Sequence, residues 1–142
     1  MTSGRSGTLT LIAVLVLALT GCGPAPSPDA SPGTPAYVQH VPADQVDTWR
    51  GVHYDGLVLD IRTAGEWDDD LGHLDNAVPV PVNDLESRLA EFDRFRTGAV
   101  LIYDRLGAST PRAGQILVTH GFRDVSVIEG GLKAYRDWQK AR

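Results

Sequence analysis

The sequence predicts an α/β domain built on a mostly parallel sheet with helices on both faces. Three observations lead there. Leu57-Val58-Leu59-Asp60-Ile61 and Ala99-Val100-Leu101-Ile102-Tyr103 are apolar almost without interruption, as expected for strands buried on both faces. Segments of helical spacing separate these and the weaker strand candidates. Gly121 and Gly130-Gly131 punctuate the last helix–strand–helix passage, which completes the strand–helix alternation of a parallel sheet.

The elements follow in order. Val38–Val41 is a short apolar segment, and Val46, Trp49 and Arg50 suit a short amphipathic helix. Leu57–Ile61 is the first buried strand. Ala77–Val82 reads as a short strand punctuated by prolines. Asp84–Phe92 carries Leu85, Leu89 and Phe92 at helical spacing with charges opposite. After the Ala99–Tyr103 strand, Ser109 or Thr110 is placed to cap a helix with Pro111 in its first turn, running through Ile116, Leu117 and His120 to a stop at Gly121. Val125–Ile128 is the next strand, and the final helix presents Leu132, Tyr135 and Trp138 on its apolar face. Ligands of such sheets bind at the carboxyl ends of the strands, so the segment after Tyr103 is the first candidate site.

Ahead of this domain, residues 1–21 have the parts of a secretory signal: Arg5, an apolar run from Leu11 to Leu19, then Thr20-Gly21. That run is shorter than the roughly 20 residues a spanning helix needs. Leu19-Thr20-Gly21-Cys22 resembles a bacterial lipobox, which implies a lipid on Cys22 and an exported, extracytoplasmic chain held to the cell membrane or envelope. Residues 22–36 form a Pro-, Ser- and Ala-rich linker of the kind that stays extended and bears no core. Residues 37–142 are the single folded domain. Cys22 is the one cysteine among 142 residues, so disulfides within the chain and a cysteine-based zinc site are excluded. Losing Arg5 with the signal takes the formal net charge from −5 to −6, which argues against nucleic acid as a partner.

The domain's motifs match a known family. Asp60-Ile61-Arg62, Glu66-Trp67, Gly72-His73-Leu74 and Ala77-Val78 occur in order, and the tail Gly121-Phe122, Val125, Ile128-Glu129-Gly130-Gly131-Leu132 and Tyr135 follows. Together they resemble the rhodanese-like domains. The resemblance implies a five-stranded α/β fold of sulfurtransferase type, in which a loop cysteine takes sulfane sulfur from a donor such as thiosulfate and passes it to a thiophilic acceptor. On the same resemblance Asp104 stands at the cysteine's position and Ser109 at that of a loop arginine, with Arg105 retained. The Asp68-Asp69-Asp70-Leu71 stretch is two residues longer than the family's usual spacing.

A strand-to-helix loop of this kind converges backbone N–H groups on one point and favours negative charge there. A carboxylate placed in it is held but forms no persulfide. The expected ligand-binding loop is therefore Asp104, Arg105, Leu106, Gly107, Ala108, Ser109, Thr110 and Arg112, with no catalytic residue and no cofactor. Asp104 is expected to accept the loop amides and to pair with Arg105 or Arg112. The partners expected are the membrane, through the lipid on Cys22, and a small anion or an envelope protein, through the loop. An active transferase of the same fold is the alternative. Asp104 as a phosphoryl-accepting nucleophile would need magnesium and a second carboxylate such as Asp60, but the resemblance implies that Asp60 forms a structural ion pair with Arg62. Elsewhere, Arg62 and Glu66, four apart, are expected to form a structural ion pair. Asp68–Asp70 reads as a solvated acidic loop, with no metal site, and His73 as a packing residue.

Overall fold

A computed structural model describes residues 37–142; the signal, Cys22 and the linker to residue 36 lie outside them. Five strands, β1 (Val38–Val41), β2 (Leu57–Asp60), β3 (Ala77–Pro79), β4 (Ala99–Tyr103) and β5 (Asp124–Ile128), form one sheet in the order β1-β5-β4-β2-β3. Every pairing is parallel. Four α-helices cover it: α1 (Val46–Val52), α2 (Leu85–Arg88), α3 (Thr110–Thr119) and α4 (Gly131–Lys140).

Alternation along the central strands divides the core. Leu57, Leu59, Ile61, Val100, Ile102, Val125 and Val127 face Leu85, Leu89, Phe92, Ala113 and Leu117. Val58, Leu101, Tyr103 and Ile128 face Val46, Leu132 and Tyr135. Both faces of β2 are thus buried, which is why its sequence shows no polar–apolar alternation.

Three local expectations change. The segment after Asp84 is α-helical only over Leu85–Arg88 and continues as 3-10 helix from Leu89 to Phe95. Leu85 and Leu89 are four apart, whereas Leu89, Phe92 and Phe95 recur every three residues, the period of the tighter helix. Strand β3 stops at Pro79, because Pro79 and Pro81 have no N–H for the ladder. The chain still follows β2, with Val80 N donating to Asp60 O (2.8 Å) and Val82 N to Ile61 O (3.1 Å). Helix α3 starts at Thr110 with Pro111 in its first turn, but neither candidate hydroxyl caps it. Ser109 has helical rather than extended backbone angles, and Thr110 Oγ1 donates back to Gly107 O (3.1 Å).

Candidate functional site

Strands β2 and β4 are neighbours, with Asp60 beside Tyr103. The residues that follow each therefore emerge together at the carboxyl end of the sheet. After β4, Asp104 is 6% exposed, and its carboxylate turns into its own loop. Oδ1 accepts the N–H of Leu106 (3.0 Å) and of Gly107, and Oδ2 accepts that of Ser109 (2.5 Å). The amide cradle expected of this loop is thus formed, and the side chain of Asp104 fills it. Gly107, at φ +85°, provides the left-handed turn this requires.

The basic residues of the loop are engaged elsewhere. Arg105 does not pair with Asp104; it reaches across to Asp69 and to Asp70 Oδ1 (3.2 Å). Arg112 donates to Asn83 Oδ1 (3.0 Å), also away from Asp104. The expected pairing of Asp104 with an arginine is therefore replaced by three backbone donors. The side chain of Asp104 is too short, and too firmly bound within the loop, to meet guanidinium groups drawn outward by other acceptors.

After β2, the expected Arg62–Glu66 ion pair does not form. Arg62 forms the ion pair with Asp60 that the motif implies, with Nε 2.9 Å from Oδ1 and Nη2 2.6 Å from Oδ2, and both side chains are 1% exposed. Nη1 reaches Asp69 Oδ1 at 3.2 Å and Nη2 reaches Gly72 O at 2.8 Å. Glu66 is held by a capping box, accepting from Thr63 N (3.0 Å) and Thr63 Oγ1 (2.7 Å). The physical reason is local: the turn Ala64–Glu66 is 3-10 and starts from an extended Thr63, so positions 62 and 66 never share an α-helical face. Asp60, engaged on both oxygens, is not free to complete a magnesium site beside Asp104. Among the described residues no group of three or more His, Cys, Asp or Glu is placed to hold a metal.

Asp69 is likewise not a solvated acid. It bridges Arg62 and Arg105 and accepts the N–H of Leu71 (2.9 Å). Partial burial opposes its charge, but the Leu71 amide and the two guanidinium groups outweigh that and lower its pKa. Burial likewise opposes the Arg62 charge, and Asp60 and Asp69 outweigh it and raise the pKa. Tyr103, whose hydroxyl accepts the N–H of Leu74 (3.1 Å), is pushed up mainly by burial. His73 packs as expected, stacked on Trp67 with ring centroids 3.9 Å apart.

One wall of the site was not evident as such in the sequence. Gly130 and Gly131 both have positive φ, and a Cβ on Gly131 would fall 2.6–2.7 Å from backbone atoms of Arg105 and Leu106. Asp104 O and Arg105 O accept the N–H groups of Leu132 (2.8 Å) and Lys133 (3.0 Å) at the start of α4. The glycine pair therefore docks the loop as well as turning the chain. Consecutive glycines signal a turn in the sequence, while their close approach to the loop is a long-range feature.

The loop and the end of β2 enclose an open pocket of about 280 Å³, lined by Ile61, Thr63, Val82, Asp104, Leu106 and Ser109 among others. Its apolar wall comes from both segments. Three of its loop amides, those of Leu106, Gly107 and Ser109, are taken by Asp104, and the arginines that line it are held by acids. The arrangement offers surface for contact, with the carboxylate of Asp104 seated among the loop amides.

A family model described as "Rhodanese-like domain" matches residues 44–137. A tRNA uridine(34) hydroxylase of Pectobacterium carotovorum is 30% identical over 108 residues, covering 73% of this chain and 30% of that protein. One of Chlamydia muridarum is 32% identical over 85 residues, covering 56% and 25%. The chain thus spans less than a third of the length of these relatives. Among solved structures, reduced Bacillus anthracis CoADR-RHD aligns with a TM-score of 0.62 at 26% identity, over 74% of this chain and 18% of the other. The Rhodanese_3 like domain of the Anabaena Alr3790 protein aligns with a TM-score of 0.51 at 29% identity, over 58% and 91%.

Proposed function

The chain belongs to the rhodanese-like domain family, and we propose that on this scaffold it transfers no sulfur and instead serves as a lipid-anchored binding module outside the cytoplasm. One observation carries the reading: Asp104 lies in the loop after β4 with its carboxylate accepting three backbone N–H groups. We read Asp104 as standing where the family's persulfide-forming cysteine stands. Sulfur transfer needs a thiolate nucleophile, and residues 23–142 contain no cysteine. A carboxylate in the cradle also repels an anionic donor from the point where it would bind.

The same geometry supports one of the two ligand classes considered for the loop. With three of its amides bound by Asp104, Arg105 paired to Asp69 and Asp70, and Arg112 turned to Asn83, the loop favours a protein partner over a small anion. Leu106, 59% exposed, is the apolar contact it offers. The relatives' name describes an enzyme. Since this chain corresponds to under a third of those proteins, an enzymatic role on the rhodanese-like part is the second reading.

A thiosulfate:cyanide sulfurtransferase assay on the full chain separates them. We expect thiocyanate formation at background, and a cyanide-labile persulfide once Asp104→Cys supplies the nucleophile. Wild-type turnover that Asp104→Ala abolishes would overturn the binding-module reading.

A further inference from the structure

The end of the sheet opposite Asp104 carries a second surface. Because every strand is parallel, all amino ends lie together. The register Val38↔Val125, Val100↔Val125 and Leu57↔Val100, extended back by one residue, places Tyr37, Asp124, Ala99 and Gly56 in one row. Helix α1 and the 3-10 segment run the other way and bring their last residues, Val52 and Phe95, to this same end.

Among the described residues four large apolar side chains are strongly exposed, and three of them lie here: Tyr37 at 63%, Val52 at 67% and Tyr54 at 85%. The fourth, Leu106, belongs to the loop at the far end. Tyr37 and Tyr54 flank a row of four strands, about 14 Å across at the usual strand spacing. Arg94, stacked over Phe95 at 4.6 Å, is at this end, as is Arg123. Among the described residues neither has a carboxylate within salt-bridge distance. Asp55 and Asp124 also lie here, so the patch is close to neutral on a chain that is otherwise acidic. A groove of about 380 Å³ between Tyr54, Asn76, Val78, Arg94 and Phe95 opens beside it.

Residue 37 is also where the preceding segment joins the domain. We infer that this amino end is a bilayer-contacting surface, with Tyr37 and Tyr54 seated at the lipid–water interface; the inference rests on the lipid anchor at Cys22. Tyrosine suits that zone because its ring is apolar and its hydroxyl stays hydrated. The linker Gly23–Ala36 is fourteen residues, about 43 Å if fully extended as polyproline II and roughly 20 Å as a flexible coil. Either length allows the attached end to reach the surface. Neutrality matters as much as reach: an acidic face would be repelled by anionic lipid, and this is the end where two arginines offset the acids. The consequence is an orientation in which the Asp104 loop points away from the membrane, toward soluble partners.

The test uses the intact lipidated chain in phosphatidylcholine–phosphatidylglycerol vesicles, with a nitroxide placed at Asp55→Cys or, at the opposite end, at Asp84→Cys. Acylated Cys22 does not take the label. In power-saturation measurements, the label at 55 is expected to be relaxed at least threefold more by oxygen relative to a nickel chelate than the label at 84. Adding Tyr37→Ser and Tyr54→Ser should return it to the aqueous value. A chain that floats with the vesicles but gives the aqueous value at both positions overturns the contact and leaves the anchor intact. A chain that does not float, and takes label at Cys22, overturns the anchor and the contact together.

Discussion

Arg62 illustrates how a buried charge is made tolerable. Its guanidinium is shared among Asp60, Asp69 and the carbonyl of Gly72, so no donor facing the interior is wasted. Breaking such a pair by removing one partner leaves the other charged and buried, at a cost of about 3–5 kcal/mol. Arg62→Ala should therefore lower stability by about that amount in urea unfolding. Glu66→Ala should lose only the capping box at Thr63, about 1 kcal/mol. A double-mutant cycle between them should show coupling below about 0.5 kcal/mol, whereas a cycle between Arg62 and Asp60 should show much more. Spacing alone favoured the Arg62–Glu66 pair because the sequence does not reveal that the turn at Ala64–Glu66 is 3-10. Asp69 gives the network a pH dependence. Its folded pKa lies below the unfolded value of about 3.9, so its contribution is complete above that value and is lost as pH falls through the folded pKa. Following the urea midpoint from pH 6 to pH 2, Asp69→Asn should be less stable than wild type at pH 6, and the difference should shrink toward pH 2.

At the scale of elements, legibility followed burial. Strands β2 and β4 were readable because their nearly uninterrupted apolar runs have one physical use, a sheet covered on both sides. Helices α3 and α4 were readable from Pro111, Gly121 and the Leu132–Tyr135–Trp138 stripe. The segment from Leu85 to Phe95 was harder, since apolar residues spaced four and then three apart fit either helix type, and tertiary packing decides where one gives way to the other. Position 109 was harder still. A serine before a helix reads as a cap, but here its backbone N–H is committed to Asp104 (2.5 Å), and that contact comes from five residues away. The glycine pair before α4 signals a turn in the sequence, but its close approach to Arg105 and Leu106 is a long-range fact. Gly131→Ala tests that approach. A methyl group 2.6–2.7 Å from loop backbone, at φ +66°, combines steric conflict with a left-handed residue. It should cost more than about 2 kcal/mol by urea unfolding. An ordinary exposed Gly→Ala, such as Gly51→Ala with open space around its Cβ, should be neutral or slightly stabilising.

At the scale of the whole molecule, the fold gathers a site at the strand ends, and the proposed lipid anchor would determine where that site is displayed. The fold makes the two ends of the sheet chemically different: one carries the Asp104 loop and its arginine–aspartate network, the other the exposed tyrosines and the junction at residue 37. These roles separate cleanly in energy. On the proposed anchor, membrane affinity through Cys22 would scale at about 0.8 kcal/mol per buried acyl CH₂, so two or more acyl chains would anchor far more strongly than any contact made by a few surface residues. Among the described residues, the two core clusters on either side of the sheet supply the domain's buried apolar packing. Cys22→Ser should therefore shift the protein from the membrane pellet to the soluble or unprocessed fraction, while the thermal midpoint of the purified domain changes by less than about 1 °C. A fall of several degrees would mean that the leader contributes to the core. Unchanged pelleting resistant to high salt would mean that the membrane is held by something other than lipid on Cys22. The first outcome would break the division between display and fold, and the second would remove the anchor on which the orientation of the Asp104 loop depends.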